Sequence, residues 1–338
     1  MRSYVSELLA TACGLQGEVM RRKPNRTHTL VLLTFGPMMS CGAKVSTDNA
    51  GAPLNHSTGA ATSVGASTSA GGASSVCTGS AATSSCGTGC VGNLEECNGC
   101  GLCVAKMVTI IATTNYEIDA TEVTQGQYKS WLATNPPLPT STEPPCGWKA
   151  DPDGSLGETY AILGSIYDGA DADHHPVFEV DWCDAYSYCK AMGKRLCGKI
   201  GGGTNAYADF ADATKSEWYR ACSSGGVNKY PYGATYDATY CDGEGDISNI
   251  AGTVPVGSLP HCQSTTSGFT GVYDLAGNVK EWEDSCVDGT EPTGVDATCH
   301  VRGGAYYSTS AELACDFSAS AQRFEATYSI GGIRCCAD

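Results

Sequence analysis

Two carboxylates that flank a tight turn near the C-terminal end are the residues best placed to do chemistry. Asp274 starts the turn, Gly277-Asn278 tolerates positive φ, and Glu281 follows after a short extended segment. Carboxylate and carbonyl oxygens are the ligands that calcium prefers. The same spacing suits a capped surface turn with an incidental glutamate, and spacing alone leaves both interpretations open.

Cysteine is the second residue type that could do chemistry. The chain has 20 cysteines among 338 residues, far more than a reducing compartment favours, so we expect disulfides and export. Cys97-x-x-Cys100-x-x-Cys103 could instead hold zinc or an iron–sulfur cluster. In an exported chain with an even number of cysteines, a disulfide knot is the favoured interpretation, and its connectivity does not follow from spacing.

The N-terminal part indicates export and anchoring. A basic stretch at residues 20–26 precedes a short apolar run, and Met38-Met39-Ser40-Cys41 resembles a bacterial lipoprotein box with Cys41 as lipid acceptor. The alternative is an ordinary signal peptide that leaves Cys41 unmodified. We expect a leader over residues 1–41, with a start at Met1 or Met20, and a place in the bacterial cell envelope or outside the cell.

Composition divides the rest of the chain into three parts. Residues 42–85 are almost entirely Ala, Gly, Ser and Thr and predict a flexible tether, residues 86–106 form a Cys-rich segment, and residues 107–338 form a domain. The net charge of −16 makes nucleic acid a poor partner. We expect a monomer that meets a membrane only through its lipid anchor and binds a protein or carbohydrate ligand.

Local signals predict the elements that position these residues. Residues 108–112 and 116–119 are β-rich and predict two strands joined by a turn. The last third of the chain consists of Gly-rich turns and short strands. The sum is an α+β domain with little regular secondary structure.

Three helices are predicted from their capping residues. Thr124-x-x-Gln127 is a capping box that opens a helix to about residue 134. Asp181 caps a second helix that ends at Gly193, where glycine suits the left-handed C′ position. Thr214-x-x-Glu217 predicts a third helix through Cys222.

Eight motifs occur in order along the domain, and the one at residues 271–282 reads GVYDLAGNVKEW. The others lie at 116–124, 176–189, 193–196, 216–218, 230–233, 302–304 and 332–335. Together they resemble the signature of the formylglycine-generating enzyme family, also called the sulfatase-modifying-factor family. The resemblance covers residues 107–338 and implies a C-type-lectin-like fold that is rich in disulfides.

The resemblance also implies an oxidase that holds copper(I) between two thiolates and converts a cysteine or serine of a sulfatase-type substrate to formylglycine. Here Ser308 and Leu313 stand at the two thiol positions. Ala305 and Lys280 depart from the family motifs as well. A hydroxyl and an isobutyl group cannot bind copper(I), so copper is not expected as a cofactor.

Calcium, in contrast, is expected as a structural cofactor. By resemblance to a calcium site of the family, Asp274 and Glu281 supply side-chain oxygens, and Gly277 and Val279 supply backbone carbonyls. The histidines of the domain lack metal-ligand spacing, so a histidine metal site is not expected.

Six disulfides are expected in the domain. The resemblance implies Cys189–Cys335 and Cys222–Cys315. Neighbourhood to the first of these pairs suggests Cys197–Cys336, and closure of local loops suggests Cys241–Cys262 and Cys286–Cys299. Cys146–Cys183 uses the two cysteines that remain.

These features leave three functions to weigh. The favoured one is a non-catalytic or divergent binding module displayed on the cell envelope. The alternative is a formylglycine-generating oxidase that uses other cysteines. An iron-dependent oxidase of the related sulfoxide-synthase type would need a histidine triad, which the sequence does not offer.

Overall fold

In a computed structural model, the described residues are 86, 90, 92–139, 145–150, 171–244, 252–289, 294–324 and 331–338. They belong to the larger of two units into which the chain divides, Ser69–Asp338. The predicted leader, the lipid acceptor Cys41 and the tether at 42–85 lie outside the described residues. Among the helices of the described ranges, none is long and apolar enough to cross a membrane.

Short strands and helices alternate along the described part of the chain. In chain order the elements are β1 (Glu95–Cys97), β2 (Cys103–Ala105), β3 (Met107–Ile110), β4 (Tyr116–Asp119), α1 (Gln125–Leu132), α2 (Trp182–Ala191), β5 (Arg195–Leu196), α3 (Glu217–Cys222), β6 (Glu281–Val287), β7 (Thr298–Arg302), β8 (Ala319–Gln322) and β9 (Cys335–Ala337). Short 3-10 turns lie at Gly147–Ala150, Ala172–His174 and Tyr207–Asp209.

The strands form three antiparallel sheets. β1 pairs with β2, and β6, β7 and β8 form a meander. The third sheet has the order β3-β4-β9-β5, so the C-terminal strand β9 lies between β4 and β5. This insertion carries Arg334, the residue before β9, into the interior, where it is fully buried.

The caps of the first two helices form as predicted. Thr124 Oγ1 accepts the Gln127 amide at 3.1 Å while the Gln127 side chain accepts the Thr124 amide at 3.1 Å. Asp181 and Asp184 exchange the same two bonds at the start of α2. α1 ends at Leu132 and α2 at Ala191, each slightly earlier than predicted. Gly193 takes the expected left-handed conformation with a φ of 74°.

The predicted cap of the third helix is wrong. Ser216 is the N-cap of α3, and its hydroxyl accepts the Tyr219 amide at 3.1 Å. Thr214 instead bonds Asp212 in the preceding turn. Glu217 does not reach back to Thr214 because its carboxylate pairs with Arg195 at 2.6 Å and accepts the Gly198 amide.

Disulfides tie these elements together. The structure joins the six pairs expected in the domain: Cys146–Cys183, Cys189–Cys335, Cys197–Cys336, Cys222–Cys315, Cys241–Cys262 and Cys286–Cys299. The Cys-rich segment adds Cys86–Cys97 and Cys90–Cys103. Cys97, Cys100 and Cys103 are therefore all in disulfides. This agrees with a disulfide knot rather than with a zinc or iron–sulfur site.

Candidate functional site

The two family thiol positions lie side by side in the interior. Ser308 and Leu313 are each 1% exposed. A Cβ added at Gly304 would lie 3.0 Å from both the Ser308 Cβ and the Leu313 Cδ2, so both side chains line the same spot. The Ser308 hydroxyl accepts the Ala305 amide at 3.0 Å and closes the turn after the Arg302-Gly303-Gly304 motif. This spot is a small, packed site without sulfur.

The cysteine nearest in sequence to this spot is not available as a thiol. Cys315 is buried and bonded to Cys222. All other cysteines of the described part are in disulfides as well. Since a disulfide sulfur is not a thiolate, no described cysteine can act as the soft ligand that copper(I) requires.

Lys280 contacts Tyr307, the residue that precedes Ser308. Lys280 Nζ lies 5.5 Å from the ring centroid of Tyr307, the neighbour of Ser308 in the chain. A cation over an aromatic face is a favourable contact, and it places positive charge where the family motif has an aromatic residue.

The acidic turn is the second part of the site, and its backbone has the geometry that the sequence predicted. Gly277 and Asn278 have φ of 84° and 58°, and Asp274 also has a positive φ, 60°. A side chain at Gly277 would clash with the Asp242 carbonyl, so glycine is required there for a second reason. The turn is packed in the interior, with Asp274 and Glu281 exposed by 2% and 1%. The interpretation as a surface turn is therefore wrong.

Glu281 is held by two donors. Arg334 bonds Glu281 Oε1 at 2.8 Å through Nε, and the Trp218 indole donates to Oε2 at 2.6 Å. Arg334 also donates to the Asp119 and Tyr273 carbonyls, each at 2.8 Å. This one guanidinium therefore connects β6, β4 and the segment that leads into the turn.

Glu122 is a third carboxylate at the turn, which the sequence analysis did not assign to the site. Its Oε2 accepts the Asn278 side-chain amide at 2.9 Å, and its Oε1 accepts the Val279 amide at 3.3 Å. The contact joins residues 156 and 157 positions apart. The sequence signal for Glu122 is its place inside the first family motif, at residues 116–124, just before α1.

The three carboxylates carry more negative charge than Arg334 offsets. Burial raises the pKa of Glu122 well above its usual range, and the carboxylates of Asp274 and Glu281 raise it further. Burial raises the pKa of Asp274 to about 6, against the opposing effects of the Gly257 amide and Arg334. Buried carboxyl groups of this kind either keep a proton or pair with a cation.

The donor set fits calcium. Asp274 Oδ2 accepts the Gly257 amide at 2.6 Å, which leaves lone pairs on this carboxylate for a cation. Among the described residues, no backbone amide donates to the carbonyls of Gly277 or Val279. Glu281 would have to share its oxygens between the cation, Arg334 and Trp218.

The comparisons decide the family. The model of the Sulfatase-modifying factor enzyme 1-like domain matches residues 85–338. The chain belongs to this family. The match includes the Cys-rich segment, which the sequence analysis set apart from the domain. The α+β, disulfide-rich fold of formylglycine-generating-enzyme type is confirmed with it.

Curated relatives match over part of their length. The chain is 31% identical to the formylglycine-generating enzyme of Mus musculus over 121 residues, which cover 32% of this chain and 27% of that enzyme. It is 30% identical to the serine/threonine-protein kinase Pkn1 of Chlamydia trachomatis serovar L2 over 154 residues, which cover 42% of this chain and 21% of that protein. The chain thus spans about a quarter of the relatives it matches.

Solved structures with similar folds include PvdO from Pseudomonas aeruginosa and CarF. PvdO is 19% identical with a TM-score of 0.44, over 68% of this chain and 82% of its own. CarF is 20% identical with a TM-score of 0.41, over 66% of this chain and 86% of its own.

Proposed function

We propose that this family member is an exported, envelope-anchored binding protein that does not carry out the family's oxidation. The observation that carries the proposal is the pair Ser308 and Leu313 at the two thiol positions. Because each described cysteine is in a disulfide, the described part offers no thiolate to replace them. The alternative function, formylglycine formation, is favoured by the similarity to formylglycine-generating enzymes, and one experiment separates the two.

We expect the wild-type protein to leave a Cys-x-Pro-x-Arg peptide unchanged in the presence of copper(I), reductant and oxygen. A serine hydroxyl keeps its proton at neutral pH, and leucine has no ligand atom, so neither can hold the metal. The measurement is mass spectrometry of the peptide, with an active formylglycine-generating enzyme as positive control. Copper-dependent conversion of the substrate thiol to an aldehyde by the wild-type protein would show that the proposal is wrong.

A gain-of-ligand variant provides a matched comparison. Ser308→Cys together with Leu313→Cys places two thiols where the two side chains already meet beside Gly304. We expect copper(I) binding by this double variant and not by either single variant, because two thiolates are needed. Equal copper binding by wild type and double variant would place the metal elsewhere.

Anchoring is proposed from the box at residues 38–41. Metabolic labelling with a palmitate analogue is expected to mark the wild-type chain and not the Cys41→Ser variant, since only the thiol accepts the lipid. Labelling is read from the purified protein by gel. Equal labelling of both chains would exclude Cys41 as the acceptor.

Calcium is proposed as a structural cofactor at the acidic turn. Asp274 and Glu281 would hold it with the carbonyls of Gly277 and Val279, and Glu122 would fix the turn from behind through Asn278. When bound, calcium would offset the excess negative charge of the turn, while the residues themselves keep the chain in its left-handed conformation.

A further inference from the structure

A cleft on the surface of the domain is not used by either part of the site. It measures about 370 Å³, at the small end of the range for small-molecule sites. The residues that matter for its chemistry are Tyr232, Tyr240, His261, Gln263, Ser264 and Thr270. We call it the aromatic cleft.

Aromatic rings form one side of the aromatic cleft. His261 stacks on Tyr240 with ring centroids 5.0 Å apart and an angle of 28° between the rings. Tyr232 meets Tyr240 edge-on at 4.9 Å and stacks on Tyr230 behind it. Tyr232 and Tyr240 are half-buried and His261 is exposed, so the ring wall opens to solvent at His261.

Neutral polar groups form the other side. Gln263, Ser264, Thr265 and Thr270 bring amide and hydroxyl groups, and among the lining residues that the structure describes none carries a carboxylate, ammonium or guanidinium group. The exposed acid Asp237 lies near the cleft, and its pKa is lowered mainly by its hydrogen bonds to Thr239 and to a smaller extent by His261. The cleft thus has no fixed charge to pair with an ionic ligand.

The walls are held in place before any ligand arrives. Tyr240 and His261 each precede a cysteine of the Cys241–Cys262 bridge, so this disulfide sets their stacking. Gln263 is fixed at both ends, because its oxygen accepts the Gly271 amide and its nitrogen donates to the Pro260 carbonyl, each at 2.9 Å. A preorganised site loses less entropy when it binds.

The lining chemistry selects one class of ligand. An anion or a cation would lose its hydration without gaining an opposite charge. A purely apolar ligand would cover the exposed residues Thr265 and Thr270 and offer their hydroxyls no hydrogen bond. A pyranose ring has an apolar C–H face that packs on aromatic rings and an edge of neutral hydroxyls that exchange hydrogen bonds.

We propose that the aromatic cleft binds a terminal pyranose unit of a neutral glycan. The C–H face of the sugar lies against the rings of Tyr240 and His261, and its hydroxyls meet Gln263 and the exposed Thr270. The proposal rests on the binding function proposed above and gives it a ligand class.

The test uses the full chain with its disulfides intact. An array of neutral glycans is screened first, and maltotriose, cellotriose and tri-N-acetylchitotriose are titrated by calorimetry, with trigalacturonate as the anionic comparison. We expect binding of at least one neutral glycan at up to millimolar concentrations, with an affinity that sodium chloride does not change. Trigalacturonate is expected to bind at least about tenfold more weakly, a difference of about 1.4 kcal/mol.

Variants locate the binding. His261→Ala changes an exposed side chain and is expected to weaken binding at least about tenfold with an unchanged melting temperature, because stacking on the ring is lost. Tyr240→Phe keeps the ring and is expected to bind within about threefold of wild type, whereas Tyr240→Ala is expected to bind as weakly as His261→Ala. Tyr307→Ala, an exposed tyrosine that does not line the cleft, is the control and should bind as wild type.

Any of four results would overturn the inference, and the first three concern glycans. They are failure of every neutral glycan to bind, equal or tighter binding of trigalacturonate, and glycan binding that His261→Ala and Tyr240→Ala leave unchanged. Selective binding of a peptide in place of glycans would also overturn it. If no glycan binds and no formylglycine forms, the glycan inference is wrong but the proposed binding function stands. If formylglycine forms, the proposed non-catalytic function is wrong whatever the glycan test shows.

Discussion

Joint replacement of Cys222 and Cys315 by alanine is expected to lower the free energy of unfolding by about 4–5 kcal/mol. The two cysteines are 93 positions apart, and their bridge closes a long loop in the unfolded chain. Both sulfurs are buried, so loss of packing adds to the loss of the constraint. The measurement is equilibrium unfolding in guanidinium chloride under non-reducing conditions.

The matched control is the joint replacement of Cys189 and Cys335, which are equally buried. Their bridge spans 146 positions, but Cys197–Cys336 spans 139 and closes almost the same loop. Removing one of two adjacent bridges frees only the short loop between them, so we expect a smaller loss, roughly 3 kcal/mol. An equal or larger loss in the control would contradict this account of the stability.

Removal of calcium is expected to lower the melting temperature, and Asp274→Asn is expected to abolish this sensitivity. At a calcium concentration of about a hundred times Kd, binding to the folded state contributes roughly 3 kcal/mol of stability. Asparagine keeps the shape of the side chain and loses the charge that the cation needs. The measurement is thermal unfolding with calcium and with chelator.

Asp237→Asn is a suitable control variant, because Asp237 is an exposed acid whose lowered pKa comes from its bonds to Thr239, away from the turn. It should respond to calcium and chelator as wild type does. Wild-type melting that is indifferent to both would contradict the proposed calcium site.

The pH dependence of the calcium-free protein follows from the carboxyl group of Asp274. The folded-state pKa of Asp274 is about 6, above the value near 3.8 of the unfolded chain. The folded state therefore holds this proton more tightly, so the contribution of Asp274 to stability is fully present below pH 4 and is lost as pH rises through 6. The expected loss from Asp274 is about 3 kcal/mol, and Asp274→Asn removes it. With calcium bound, this loss should shrink, because the cation favours the ionised carboxylate.

Several features of the domain were determined by the sequence itself. The capping boxes of α1 and α2 depend on residues three positions apart, so their geometry is local and readable. The left-handed turn at Gly277-Asn278 follows from the conformational freedom of those two residue types. The absence of thiols at positions 308 and 313 follows from the residue types alone, because serine and leucine contain no sulfur.

Other features were decided only by the tertiary structure. Thr214-x-x-Glu217 has the spacing of a capping box, but a buried ion pair with Arg195 takes the glutamate away from it. Glu122 joins the acidic turn because the fold brings residues about 156 positions apart together. No local pattern contains such an interaction, since its energy depends on burial and on partners from other strands.

The aromatic cleft shows the same limit. Tyr232, Tyr240 and His261 have no helical or strand period that would mark them as a group in the sequence. They meet because Cys241–Cys262 folds one loop against another and leaves a cleft between them. Residue types determined what chemistry the chain could offer, and long-range packing decided which of those residues stand together.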